Sequence, residues 1–476
     1  MNSFKKLWNW LDQRANLNNL LTVALKEPIP GGPSWSYVFG SGLIFIFTLQ
    51  ALTGVLLAIY YTPSADHAYT TVAYISKEVA SGSLLRGIHA YGSSAMVIMV
   101  VLHLSQTFLW GAYKGRREVL WLSGCALLTM ILGMSFTGYL LPWDQKAYFA
   151  TAVGTSVAGE VPFIGDLIKR FMRGGSDMGT LTLSRFFAAH VLFLPALIAG
   201  LISAHVYLFR KAGAAGPFTE DPVTPKSKMG YFYPKQLLMD IALAAFVIAV
   251  LAVIAATYPA ELGPQANPAD TQFLGRPEWY YRPMFQWLKY WNPPYTVIGI
   301  MVIPAIVGAL LAGAPFLDRK LERRPWKRPL AVALYAFVLG GLAFMGWQSY
   351  RDDDNMPTVK AQIIAQDEET QRMMATPFEP QLEGTAHAEA SPAQLSAAAE
   401  TGKALFMRNA CFACHGQNGV GGRGPRLIGI GSRMSSDQVF ELLRRPRAAM
   451  LAGGMIPSPL KDDDLRALIE YLKTLK

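Results

Sequence analysis

Cys411-Phe412-Ala413-Cys414-His415 puts two thiols and an imidazole within one short stretch, the Cys-x-x-Cys-His spacing of c-type haem attachment. Two thioethers would fix the porphyrin while His415 takes one axial position on the iron. A redox dithiol would share the cysteine pair but not the adjoining His. The other axial position calls for a soft or imidazole donor. Met455, in Gly-Gly-Met-Ile-Pro before the last helix, is the first candidate, with Met450 and Met434 as alternatives.

Four histidines lie in apolar windows, His89 with His103 in one and His190 with His205 in another. Ionisable groups at membrane depth are costly and usually functional. The first pair is 14 residues apart, which at ~100° per residue returns to within roughly 40° of whole turns and rises about 21 Å. Both rings therefore face one way at two depths. The second pair is 15 apart, roughly 60° off in the other sense. Pro195 lies between, where a lost backbone bond could absorb the extra residue as a bend. With both windows running inward, His89 meets His190 near the outer face and His103 meets His205 near the inner. Two bis-imidazole sites imply two non-covalent b haems stacked along the membrane normal; a metal site or proton relay is the alternative. Gly40 and Gly54, and Gly124 and Gly138, repeat the 14-residue interval. They would let flat macrocycles lie against helices bare of side chains, although membrane helices are glycine-rich in general.

Pro277-Glu278-Trp279-Tyr280 falls in an outward loop, placing a carboxylate near the outer haem pair as quinol oxidation with proton release requires. Arg86, three residues before His89, is a candidate partner for an outer-haem propionate, and Arg185 a weaker one. Interfacial anchoring is the plainer use of both.

The elements that must hold these groups follow from composition. The 476 residues are 52% hydrophobic and 16% charged, against ~25% charged in a soluble domain, so the chain is an integral membrane protein. Windows near 37–61, 88–111, 119–141, 186–209, 237–257, 295–316 and 330–349 are each long enough to cross a ~30 Å core. The fold class expected is all-α, with seven transmembrane helices including a four-helix dihaem bundle, plus a small all-α module. Glycines, Pro162 and charges interrupt 146–176, which reads as short surface helices. Lys5, Lys6, Trp8 and Trp10 suit an interfacial amphipathic helix rather than a signal peptide.

Basic residues cluster in alternate loops, around Lys114–Arg117, Arg210–Lys235 and Arg319–Arg328 as well as the N-terminus. The net charge of +10 is thus a topology signal that puts the N-terminus in the cytoplasm and the C-terminal module outside. It is not a nucleic-acid surface. Residues 351–392 read as a flexible linker, with Asp352, Asp353 and Asp354 as a solvated helix end, and 393–476 as a globular module ending in a helix from about 462.

Together with Gln50–Gly54 and Gly138–Gln145, these residues resemble the cytochrome b of the bc and bf complexes over roughly 5–350, closest in spacing to the chloroplast-type and Firmicute-type branch. The tail resembles a class I cytochrome c. The resemblance implies a dihaem domain at 1–215, a quinol-site domain at 216–350, the linker, and a cytochrome c domain at 393–476. It implies a quinol:cytochrome c oxidoreductase subunit of a bacterial cytoplasmic membrane, with two b haems and one c haem. Glu278 would accept a quinol proton and Tyr280 shape the site, while electrons return through the b haems to an inner quinone in a Q cycle. The partners implied are a Rieske iron–sulfur protein, a cytochrome c or terminal oxidase as acceptor, lipid and a second copy of the chain. No Rieske site fits within a chain of three cysteines.

Three positions depart from that family. Val38 stands where the chloroplast type has a haem-linking Cys, Gln106 where an Arg follows the inner His, and Gln236 where an acidic residue is common. Arg117 and Arg210 are possible substitutes for the Arg, and Lys235 and Asp240 flank Gln236. Simpler rivals are a quinol dehydrogenase without bifurcation and a haem-bearing module without turnover.

Overall fold

In hydrocarbon, backbone amides find partners only within a helix or closed barrel, and this chain answers with helices. The computed structural model describes residues 2–216, 229–268, 270, 273–293, 295–379, 397–409, 411, 415–416, 419, 427–446, 450, 455 and 457–475. They form two units, Met1–Pro380 and Gln381–Lys476.

The first unit begins with α1 (Asn2–Ala15). Helices long and apolar enough to cross a membrane are α2 (Trp35–Ala58), α3 (Gly82–Leu109), α4 (Glu118–Tyr139), α7 (Thr180–Ala212), α8 (Phe232–Thr257) and α11 (Pro329–Asn355). Between α4 and α7 run the short helices α5 (Gln145–Gly159) and α6 (Gly165–Arg173). After α8 come α9 (Arg282–Leu288) and α10 (Ile298–Ala312). The latter occupies the window expected near 295–316 but is shorter than the other six, because Gly313 and Pro315 close it into a separate turn at Ala314–Leu317. Its end is tied to α4 by Trp121 Nε1, which donates to Leu311 O at 2.7 Å.

A central core joins α2, α3, α4 and α8 through Ile46, Met96, Met99, Ile131, Val247 and Leu251. Outward, Leu52, Val55, Phe193, Phe246, Val253 and Phe337 are exposed, the inverse of a soluble helix and the surface that lipid would cover. One small departure from an all-α fold is a two-stranded antiparallel ribbon, β1 (Pro28–Pro30) on β2 (Met229–Tyr231).

Helix α7 contains a π-helical turn at Ala189–Phe193, followed at once by Pro195 in the first turn of the α-helical remainder. The extra residue between His190 and His205 is therefore taken up by the wider π turn, not by the proline bend expected.

Two expectations are corrected beyond α11. Residues 357–375 do not form a flexible linker but the helix α12 (Pro357–Ala375). Lys77 Nζ caps its C-terminal end by donating to Met373 O at 2.8 Å and also to Thr376 O, where the helix dipole favours a cation. Met374 and Phe378 pack beside Val72, Ala73 and Leu262. Of the Asp triplet, Asp354 is solvated as expected, but Asp353 is only 6% exposed, its carboxylate taken by two arginines.

In the second unit, α13 (Ala397–Arg408) packs on α15 (Asp462–Thr474) around Phe406, Leu465, Leu468, Ile469 and Leu472. The helices cross where Gly402 meets the Ala467 carbonyl; any Cβ there would collide with it. Between them, Ser435 and Gln438 form a capping box at the start of α14 (Ser436–Arg444). Asp462, Asp463 and Asp464 fill the first turn of α15.

Candidate functional site

The rings of His89, on α3, and His190, in the π turn of α7, stand 6.2 Å apart between centroids at an interplanar angle of 81°. Two metal–nitrogen bonds of about 2 Å end to end would hold opposed imidazoles at roughly that separation. His103 and His205, one level away on the same two helices, are within electrostatic reach of each other.

Each ring faces one glycine. An ideal Cβ on Gly40 would lie 3.7 Å from His103 Cε1, on Gly54 3.1 Å from His89 Cε1, and on Gly124 3.4 Å from His205 Cε1. On Gly138 it would stand 2.9 Å from both nitrogens of His190. The two glycines beside His89 and His190 are the tighter pair.

Hydroxyl side chains orient three of the four rings. Thr53 Oγ1 lies 2.9 Å from His89 Nδ1, Ser123 Oγ 2.8 Å from His205 Nδ1, and Thr137 Oγ1 3.3 Å from His190 Nδ1. Each hydroxyl already gives its own proton to a backbone carbonyl: Leu49 O, Leu120 O and Gly133 O respectively. It is then free to accept from the ring, and beside His190 the Met134 carbonyl, 3.1 Å from Nδ1, can do nothing but accept; a proton on Nδ1 leaves the Nε2 lone pair for a metal. His103 Nδ1 is buried with no hydrogen-bond partner among the described residues. The pattern has a local origin: Thr53, Ser123 and Thr137 each precede the glycine facing the ring, whereas Phe39 precedes Gly40. That signal was present in the sequence and was missed.

These features fit an iron porphyrin held by imidazoles: bare glycine at each level, and a hydroxyl on Nδ1 of three of the four rings. Arg86, expected beside a haem propionate, is held here by the protein itself. Its guanidinium donates to Ser76 Oγ at 3.2 Å, Ala260 O at 2.7 Å and Glu261 O, stapling the loop after α8. Arg185 likewise donates to Phe171 O.

Glu278 sits in the loop before α9, its carboxylate 3.3 Å from Lys146 Nζ on α5. Burial pulls the Lys146 pKa down, but Glu278, Glu261 and Asp144 pull harder, and the net direction is up. The Tyr280 phenol is raised above its usual value, by burial first and by the Glu278 charge beside it, with Ser93 on α3 and Ser135 on α4 acting in the opposite sense. Trp279 Nε1 donates to Ser94 Oγ at 3.1 Å. The tetrapeptide is thus seated on the helices that carry the histidine and glycine ladder. Lys146, next to the Gly138–Gln145 stretch, was not singled out from sequence.

On the other side of the unit, Gln236 bridges Ser34 N at 2.9 Å and Asp240 Oδ1 at 2.9 Å. Arg117 donates to Ala212 O and Gly213 O, and Arg210 pairs with Glu27 at 2.7 Å. In the second unit, Cys411 packs beside the α13–α15 core, and Met455 N donates to Met450 O at 3.0 Å. His415 is partly buried, and Cys414 lies outside the described residues.

Helices that present paired imidazoles at two levels, each ring facing a glycine, define a membrane cytochrome architecture. Comparison with known proteins makes it particular. The family described as Cytochrome b/b6/petB matches residues 25–213, Cytochrome b(C-terminal)/b6/petD matches 265–366, and Cytochrome c matches 399–476. The cytochrome b subunit of the cytochrome bc complex of Chlorobaculum thiosulfatiphilum is 34% identical over 347 residues, covering 72% of this chain and 80% of that one. The menaquinol:cytochrome c reductase cytochrome b subunit of Bacillus subtilis is 40% identical over 220 residues, 44% of this chain and 98% of that one. A chain of the solved structure titled Hyperthermophilic respiratory Complex III aligns with a TM-score of 0.64 at 27% identity, covering 75% of this chain and 94% of that chain. The chain belongs to the cytochrome b family, continued by a cytochrome c domain. Membership implies haem b in the first unit and haem c in the second.

Proposed function

We propose that this chain is the fused cytochrome b/c subunit of a quinol:cytochrome c oxidoreductase that oxidises quinol at the outer face of a bacterial cytoplasmic membrane by a Q cycle. It would work with a Rieske iron–sulfur partner, as a homodimer, and deliver electrons to a cytochrome c or terminal oxidase. Relatives named as parts of a bc complex and of a menaquinol:cytochrome c reductase support this reading.

The single observation that carries it is the seating of the Glu278 loop, with Lys146 at 3.3 Å, on α3 and α4, the helices that carry His89 and Gly138. His89 with His190, and His103 with His205, would ligate two b haems within α2, α3, α4 and α7. Cys411, Cys414, His415 and Met455 would hold the c haem. Bound haem supplies one-electron relay across the membrane. The chain itself does the rest. Glu278 takes the proton that quinol releases, Lys146 pairs with that carboxylate, and Tyr280 shapes the site beside it. In this reading α10 is the seventh crossing, the N-terminus lies inside and the cytochrome c domain outside.

Glu278→Gln in the intact complex is expected to slow quinol-dependent cytochrome c reduction roughly 10²-fold while pyridine haemochrome analysis still gives two b haems to one c haem. A wild-type rate, or a different haem ratio in the parent, refutes the reading.

A further inference from the structure

Arg276 and Arg282 bracket Glu278 in sequence, two residues before and four after, and both end on one carboxylate from another helix. Arg276 Nε lies 3.1 and 3.0 Å from the two oxygens of Asp353, and its Nη2 is 2.8 Å from Oδ1. Arg282 Nη1 reaches Oδ2 at 2.6 Å. All three side chains are largely buried, 8% exposed for Asp353, 16% for Arg276 and 12% for Arg282. We propose that Asp353, at the end of the last membrane helix, is a positioning residue for quinol oxidation, holding Glu278 in place by gripping its loop on both sides through Arg276 and Arg282.

The geometry argues for position rather than bulk stability. Exposed ion pairs hold little, but charge-assisted, multidentate pairs shielded from water are short and directional. Within the loop, the amides of Tyr281 and Arg282 both donate to Glu278 O, at 2.8 and 3.2 Å, so Glu278 sits on a tight turn whose two flanks are pinned. The aromatic faces of Phe285 and Tyr350 cover the two guanidiniums, at 5.2 and 4.3 Å from their ring centres, and restrict how far either can swing. The neighbouring Asp352 holds α9 through Gln286 Nε2 at 2.6 Å. Removing the Asp353 charge leaves two buried cations facing each other, which should drive the loop flanks apart. A shift of about 1 Å at a reacting group can cost 10²-fold in rate.

The inference rests on the quinol-site reading of Glu278, and the test separates the two. Membranes or purified complex carrying Asp353→Asn, Asp353→Glu and Glu278→Gln are assayed with a short-chain ubiquinol and the matching naphthoquinol, reading the rate of b-haem reduction, and in parallel for haem content. Asp353→Asn is expected to retain both haem types and lose roughly 10- to 100-fold in kcat, with KM changed by less than about threefold. Asp353→Glu recovers most of the rate, and adding Arg282→Gln to Asp353→Asn costs little more, as members of one network are not additive. A normal kcat in Asp353→Asn beside a slow Glu278→Gln overturns the inference alone. A normal rate in Glu278→Gln overturns the reading beneath it. Should Asp353→Asn fail to assemble, Arg276→Gln, which leaves Asp353 paired with Arg282, takes its place. Loss of haem there too overturns the inference, since the residues would then serve assembly.

Discussion

Gly138 lies so close to His190 that a Cβ on it would stand 2.9 Å from both ring nitrogens, whereas a Cβ on Gly40 would make an ordinary 3.7 Å contact with His103. The two levels of the ladder therefore differ in tolerance. Gly138→Ala should cost about half of the b haem, one of two sites, while Gly40→Ala keeps both. Pyridine haemochrome analysis of the purified complex reads the difference, and equal haem content in the two variants would contradict it.

The hydroxyl of Ser123 lies 2.8 Å from His205 Nδ1, in hydrogen-bond contact with the ring. Losing such an outer partner typically costs 10- to 100-fold in metal affinity. Ser123→Ala should therefore release b haem during detergent washing that leaves the parent intact. Because His103 has no such partner among the described residues, Phe39→Ala, beside Gly40, should not. Haem loss compared across the washed variants decides the point.

Lys146 sits beside Glu278 with a pKa moved upward by Glu278, Glu261 and Asp144 against the pull of burial. A raised lysine keeps its charge, and the attraction, at every pH below its ordinary value and loses it only as pH climbs through the raised one. The wild-type rate profile near neutrality should thus carry no Lys146 limb. Lys146→Met should slow quinol oxidation about tenfold at neutral pH, and Lys146→Arg should recover most of that loss. A Met variant with the parent's rate at neutral pH would count against the pairing.

The π turn at Ala189–Phe193 supplies the one residue by which the second histidine interval exceeds the first. Leu192 is 62% exposed, so its deletion removes no core contact. It should nevertheless turn His190 by about 100° relative to His205 and abolish one b-haem site. Optical redox titration of the deletion variant should show a single b component; two unchanged components would show that the turn is dispensable.

How much was legible in advance follows the range of the forces involved. The apolar windows, the breaks at 146–176 and the Cys411–His415 spacing are local, because hydrocarbon thickness, glycine and proline act over one element at a time. The shared 14-residue interval of histidines and glycines follows from helical pitch alone, so the two levels could be read without coordinates. The family resemblance rested on the same short stretches.

Other features depended on partners distant in sequence. Pro195 suggested a bend, yet the strain went into a π turn beside it. Asp353 read as a solvated helix end because nothing near it in sequence shows Arg276 and Arg282, more than 70 residues upstream. Residues 357–375 lack an apolar stripe, and only Lys77 and the loop around Leu262 make a place for that helix. The chain alone thus determined which segments enter the membrane and which residue types could meet iron. The tertiary structure decided which charges are buried together and where Glu278 is held, because a long-range ion pair depends on folded distance, which no local pattern encodes.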